Sequence, residues 1–156
     1  MFDFVQAIVS AAVWGAAAGA AAGGAAADRL GRRAALLAAD ALFIAGSLLM
    51  AAAPAPALLI AGRGLVGLGI GTASVVVPLF IAESVPAAVR AELVSANVLM
   101  ITLGQFVAYL VNFGLSHVPH EWRWMLGVAA LPAAAQLAGL LRAPETPHWL
   151  MSKVWH

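Results

Sequence analysis

Long apolar runs separated by short charged or proline-containing connectors set the pattern of this chain. Residues 5–27 carry no Asp, Glu, Lys or Arg, 34–53 carry only Asp40, 57–82 carry only Arg63, and 93–116 and 124–141 carry none. A helix needs about 20 mostly apolar residues to cross a bilayer, and each run is that long or nearly so. None alternates with a period of two, which argues against the strands of a membrane β-barrel. The pattern predicts an all-α membrane protein of five transmembrane helices with a tail at 142–156.

The connectors differ in charge. "DRLGRR" (28–33) and "ESVPAAVRAE" (83–92) are charged, whereas "PAP" (54–56) and "SHVPHEWR" (116–123) hold one basic residue between them. Basic residues accumulate on the cytoplasmic side. This sets Arg29, Arg32, Arg33, Arg90, Arg142 and Lys153 inside and Arg123 outside, with residue 1 outside and the tail in the cytoplasm. The start "MFDF" has no basic residue, and the apolar run behind it is too long for a signal peptide. An odd number of spans entered from outside points to a preceding span.

Composition agrees with a membrane protein. Apolar residues make up 63% and charged residues 10% of the 156 positions, against roughly 45–50% and 25% in soluble domains. With no cysteine there is no disulfide, thiolate metal site or cysteine nucleophile. A net charge of +1 offers no basic footprint, and no nucleic-acid partner is expected. His117 and His120 form an H-x-x-H in the outer connector, but one such pair is a weak signal and no metal site is expected.

The stretch "GRGLVGLGIG" (62–71) contains five glycines. Gly62, Gly64 and Gly67 satisfy G-x-G-x-x-G, and Glu83 lies about 20 residues on, where the acid of a dinucleotide fold would stand. That fingerprint needs a strand before it and an amphipathic helix after it. Here "TASVVVPLFIA" follows, without a polar face, so the glycines read as the packing surface of a membrane helix. Gly15, Gly19 and Gly23 repeat every four residues in the first run and carry the same implication of close helix approach. Arg63 is costly inside a span. It either snorkels to the nearby outer surface or faces a partner across a polar cavity.

One further pattern stands out in 93–116. Thr102, Gln105, Tyr109 and Asn112 recur at i, i+3, i+7 and i+10, one face of a helix. Such a stripe makes interhelical hydrogen bonds or lines a polar cavity. Trp122 and Trp124 flank Arg123 at a membrane edge, as aromatic-belt residues do. Asp40, in the third of its span nearer the cytoplasm, pairs with a neighbouring arginine or carries a function; the sequence leaves both open.

Together the motifs resemble a known family. "GGAAADRLGRR" (23–33) is similar to the loop motif G-x-x-x-D-[RK]-x-G-R-R of the major facilitator superfamily, met by Gly24, Asp28, Arg29, Gly31, Arg32 and Arg33. "GRGLVGLGIG", "PLFIAESVPAAVR" (78–90), "WRWMLG" (122–127) and "PETPHWL" (144–150) narrow the resemblance to the sugar porters. The stretch 93–128 and "LLAADALF" around Asp40 most resemble plant proton-coupled inositol transporters.

This resemblance implies the following expectations. The fold is part of the N-terminal half of a twelve-span transporter, spans two to six, without the first span and the C-terminal half. The chain is then a fragment that does not transport alone, or a non-transporting protein that associates through its glycine faces with full-length relatives. The substrate is a small polyol or sugar, the coupling ion a proton, and no other cofactor is implied. The location is the plasma or vacuolar membrane. Gln105 matches a sugar-facing position, with Thr102, Tyr109 and Asn112 beside it, while Val98 replaces a second glutamine common among sugar porters. Arg63 matches an arginine of proton coupling whose acidic partner lies on the first span. Asp28, Arg29, Arg32, Arg33, Glu83, Arg90 and Glu145 match the cytoplasmic gate. His148 stands where the family motif has arginine.

Overall fold

The computed structural model describes residues 2–116 and 121–154, with side chains from 6 to 116 and from 124 to 151. All regular structure among these residues is helical: α1 (Phe2–Leu30), α2 (Arg32–Ala51), α3 (Pro56–Ser84), α4 (Ala87–Leu115), α5 (Glu121–Val128), α6 (Ala130–Arg142) and α7 (Pro147–Val154). Five stretches are long and apolar enough to cross a membrane: Gln6–Leu30, Arg32–Ala51, Pro56–Ser84, Ala87–Leu115 and Trp124–Arg142. The apolar pattern predicts the same five.

Two differences have local causes. The charged connector 83–92 is mostly helix, since α3 runs to Ser84 and α4 starts at Ala87. Pro86 occupies the N-cap of α4, where its fixed φ is no obstacle, and "AAVRAEL" behind it is made largely of good helix formers. The last span is interrupted at Ala129, which separates α5 from α6. Pro132 has no N–H to offer the Val128 carbonyl, so the helical ladder loses a bond there.

Helix α3 is the centre of the bundle. Its five glycines in 62–71 serve two neighbours. A Cβ on Gly67 would collide with the Ala12 backbone and one on Gly71 with the Ala16 backbone, both on α1. Gly15 and Gly19 of α1 lie equally tight against Gly64 and Leu68, and Gly23 lies against Thr72. Gly62 and Gly69 instead face α2, against Met50 and Ala39, while Gly46 of α2 meets Gly62 and Val66. Lipid offers no hydrophobic drive for helix association, so this backbone proximity supplies the van der Waals contact. Thr72 Oγ1 adds a hydrogen bond to the Gly19 carbonyl at 3.1 Å.

The small buried core lies toward the end of the bundle that carries Arg29, Arg32 and Arg33, called the basic end below. It consists of Ala27, Ala35, Leu36 and Val76, flanked by Val77, Phe80 and Leu140. Helix α4 is different: none of its residues is buried. It leans on α3 near the basic end, along a groove lined by Phe80, Ile81, Leu93, Ala96, Asn97 and Met100 among others.

These contacts predict a contrast within one helix. Gly67→Ala and Gly71→Ala wedge α1 from α3 and cost about 1–3 kcal/mol each, as overpacking does. Gly64→Ala, whose Cβ meets nothing within 4 Å, leaves stability nearly unchanged. Equilibrium unfolding in mixed micelles measures all three; equal losses would refute the interface.

Candidate functional site

The basic end gathers a polar cluster around Glu83, and the local sequence explains how. Gly31 joins α1 to α2 at φ 103°, a conformation readily open only to glycine. A Cβ there would also overlap the Glu145 carboxylate. The turn drops Arg32 into the bundle as the first residue of α2, where it is buried.

Arg32 reaches across to the last turn of α3. Its Nη2 donates to Glu83 Oε1 at 3.0 Å, and its Nε lies 3.2 Å from Oε1 and 3.0 Å from Oε2. Its Nη1 donates to the Ala27 carbonyl at 3.1 Å, beside the Gly31 N–H that the same oxygen accepts. Its Nη2 also lies 3.3 Å from Asp28 Oδ1. Glu83 is only 11% exposed at its side chain and has two further neighbours from the tail. Thr146 Oγ1 donates to its Oε2 at 3.0 Å, and His148 Nδ1 stands 3.7 Å from its Oε1. One carboxylate thus ties α2, α3 and the residues leading into α7.

A second set of bonds fastens the tail. Glu145 Oε1 accepts the N–H of Arg33 at 2.9 Å and that of Thr146 at 3.1 Å, so it caps the first turn of α2. Arg33 Nε and Nη2 donate to the Leu140 and Leu141 carbonyls at 2.9 and 2.8 Å and close the end of α6. Trp149 Nε1 donates to the Asp28 carbonyl at 3.1 Å.

Of the residues expected at the gate, the structure brings together Asp28, Arg32, Arg33, Glu83 and Glu145. Arg29 and Arg90 stay exposed and make no ion pair among the described residues. Arg90 sits in the first turn of α4 beyond the Pro86 turn. Thr146 is the addition: the sequence assigned it no role, yet it holds Glu83 directly.

The polar stripe of α4 lies elsewhere. Thr102, Gln105, Tyr109 and Asn112 share a face, all exposed, and that face is roughly opposite the one that meets α3. Thr102 Oγ1 turns back to the Val98 carbonyl of its own helix at 3.1 Å. Arg63 is half-buried in the second turn of α3, with no hydrogen bond or ion pair among the described residues. Glu83 lies 20 residues along the same helix, about 30 Å away. Asp40 is buried, and its Oδ1 accepts Gln136 Nε2 of α6 at 3.0 Å, so its partner is an amide and not an arginine. Trp124 is exposed, as a belt residue would be. The side chains of Trp122 and Arg123, and the whole of His117 and His120, lie outside the described residues.

The profile of the family described as "Sugar (and other) transporter" matches residues 4–156. The chain belongs to the sugar transporter family. Among its relatives, the probable inositol transporter 2 of Arabidopsis thaliana is 53% identical over 148 residues, 95% of this chain and 26% of that protein. The human proton myo-inositol cotransporter is 52% identical over 124 residues, 79% of this chain and 19% of that one. In structure, the chain superposes on the partially occluded inward-open xylose transporter XylE from E. coli with a TM-score of 0.91 at 31% identity, covering 96% of this chain and 41% of that one. XylE is a proton:xylose symporter of the major facilitator superfamily. This sugar transporter chain is an integral membrane protein whose relatives are transporters and not enzymes. It spans about a quarter of the length of the curated relatives it matches.

The cluster predicts an order of effects. Glu83→Ala strands Arg32 and costs about 3–5 kcal/mol, as loss of one member of a buried pair does. Thr146→Val removes one hydrogen bond and costs about 1 kcal/mol. His148→Ala changes least, since that side chain is 72% exposed. Unfolding titrations of the three variants check the ranking; a His148 effect equal to that of Glu83 would contradict it.

Proposed function

We propose that this chain supplies the gate-bearing part of the N-terminal half of a proton-coupled transporter for inositol or a related polyol, in the plasma or vacuolar membrane. The observation that carries the reading is the Glu83 carboxylate, held by Arg32 of α2 and by Thr146 of the tail, in a chain about half identical to inositol transporters. Charged clasps at one end of a bundle bias a two-state equilibrium, because opening breaks them together.

In this reading the α4 stripe of Thr102, Gln105, Tyr109 and Asn112 presents amides and hydroxyls to the substrate. Arg63, with no partner among the described residues, awaits an acidic group and takes part in proton coupling. Alternating access needs two repeats that rock about a midplane site. With a quarter of its relatives' length, this chain does not transport alone and works with the complementary spans. Association with full-length relatives through the glycine faces is disfavoured, because Gly15, Gly19, Gly23, Gly67 and Gly71 already pack within the chain.

Proteoliposomes holding only this chain should show no proton-dependent myo-inositol uptake. Co-expression with the complementary remainder of an Arabidopsis inositol transporter should restore it, and Arg63→Gln in that assembly should remove the stimulation by an inward proton gradient. Uptake by the chain alone would overturn the reading. So would failure to transport when the two parts co-purify.

A further inference from the structure

Helix α2 carries a polar line on the side turned to the last span. Arg33, Asp40, Ser47 and Ala51 follow at spacings of seven, seven and four residues, which keeps them on one face. Three of them touch that span. Arg33 bonds the Leu140 carbonyl, Asp40 accepts from Gln136, and the Cβ of Ala51 stands 3.5 Å from where a Cβ on Gly127 would lie. The order of these contacts makes the two elements antiparallel. Ser47 lies between Asp40 and Ala51 on the same line and is 1% exposed. It therefore faces the stretch between Gly127 and Gln136.

That stretch holds the interruption between α5 and α6. Pro132 leaves the Val128 carbonyl without its usual donor, and the residues around it, Gly127, Ala129, Ala130 and Ala133, are low in bulk. Opposite, two buried side-chain atoms have no hydrogen-bond partner among the described residues: Asp40 Oδ2 and Ser47 Oγ. A helix that forfeits a backbone bond at membrane depth is tolerated where side-chain hydroxyls or ordered waters re-satisfy the freed group; Ala129 keeps helical dihedrals at φ -60° and ψ -22°, so the loss here is of a bond and not of the helical path. Here two side-chain atoms on one line of α2, the Ser47 hydroxyl and an Asp40 carboxylate oxygen, are buried without a partner among the described residues, beside a helix that forfeits a backbone bond at Pro132.

We propose that the seam between α2 and the α5–α6 interruption is a binding site for ordered water within the span. Water accepts from the Ser47 hydroxyl, donates to the Val128 carbonyl and continues to Asp40 Oδ2. A single cation does not fit the same atoms. Asp40 and Ser47 are seven residues apart, about 10 Å along the helix, beyond the reach of one ion's ligand shell. A short run of waters, each making about three hydrogen bonds, spans that distance. The site lies apart from the Glu83 cluster and from the α4 stripe, and it gives the carboxyl of Asp40 an aqueous neighbour in the membrane interior.

Water-edited solid-state NMR on the full chain in lipid nanodiscs tests this. Polarisation from water should reach the Ser47 side chain, the Asp40 carboxyl carbon and the Val128 carbonyl severalfold faster than Leu49 and Leu137, which flank them along the two elements. Ser47→Val should fill the seam and slow transfer to Val128 to the level of those flanking residues. Asp40→Asn, which keeps an acceptor for Gln136, should retain the fast transfer. Slow transfer in the wild-type chain would overturn the proposal. Fast transfer that Ser47→Val leaves intact would also overturn it, because the water would then enter through general loosening of the span.

Discussion

Backbone contact between α1 and α3 is the constraint on which the other elements depend. In lipid, apolar side chains gain nothing by leaving the hydrocarbon for each other, so helices hold together where their backbones come close enough for dense van der Waals contact. Gly15, Gly19 and Gly23 on one helix and Gly67 and Gly71 on the other bring this about. Two further glycines of α3, Gly62 and Gly69, take α2 at the same level of the bundle. With both neighbours seated on it, α3 becomes a fixed strut, and its two ends set where Arg63 and Glu83 lie.

At the basic end this strut meets a cluster with a clear division of labour. Arg32 and Glu83 carry the charge pair, whereas Glu145 and Arg33 act on helix ends, the one capping α2 and the other closing α6. The same few charges therefore satisfy backbone groups that a helix leaves open at its termini and bind separate elements to each other. Because Glu83 is nearly enclosed, its bonds to Arg32 and Thr146 are lost or kept as a unit.

The sequence disclosed the five spans, the glycine packing and the family, because each rests on a pattern that survives without coordinates. Length and apolarity fix a span, four-residue spacing fixes a glycine face, and Gly31 with its arginines fixes the turn. What it left open concerns partners distant along the chain. Asp40 was balanced between an arginine and a function of its own, and its neighbour proved to be Gln136, 96 residues away. Thr146 gave no signal because a threonine in a loop is unremarkable until a carboxylate stands beside it. Connector 83–92 read as a loop because its charges mask helix-forming residues. The α4 stripe was visible by period, but which way a helix turns its stripe is decided by tertiary packing.

Helix α4 has a consequence for how such a chain changes over generations. Its seat on α3 uses Leu93, Ala96, Asn97 and Met100, so substitutions on the opposite face remove no packing within this chain. The helices that hold the bundle together are locked at their glycines, where a single methyl group matters. Exchanges on that face of α4 carry little of the usual trade against the packing of this chain. Its side chains can be exchanged for new hydroxyls, amides or apolar groups while the scaffold stays the same. One face of the helix can therefore be rewritten while the other keeps its seat on α3.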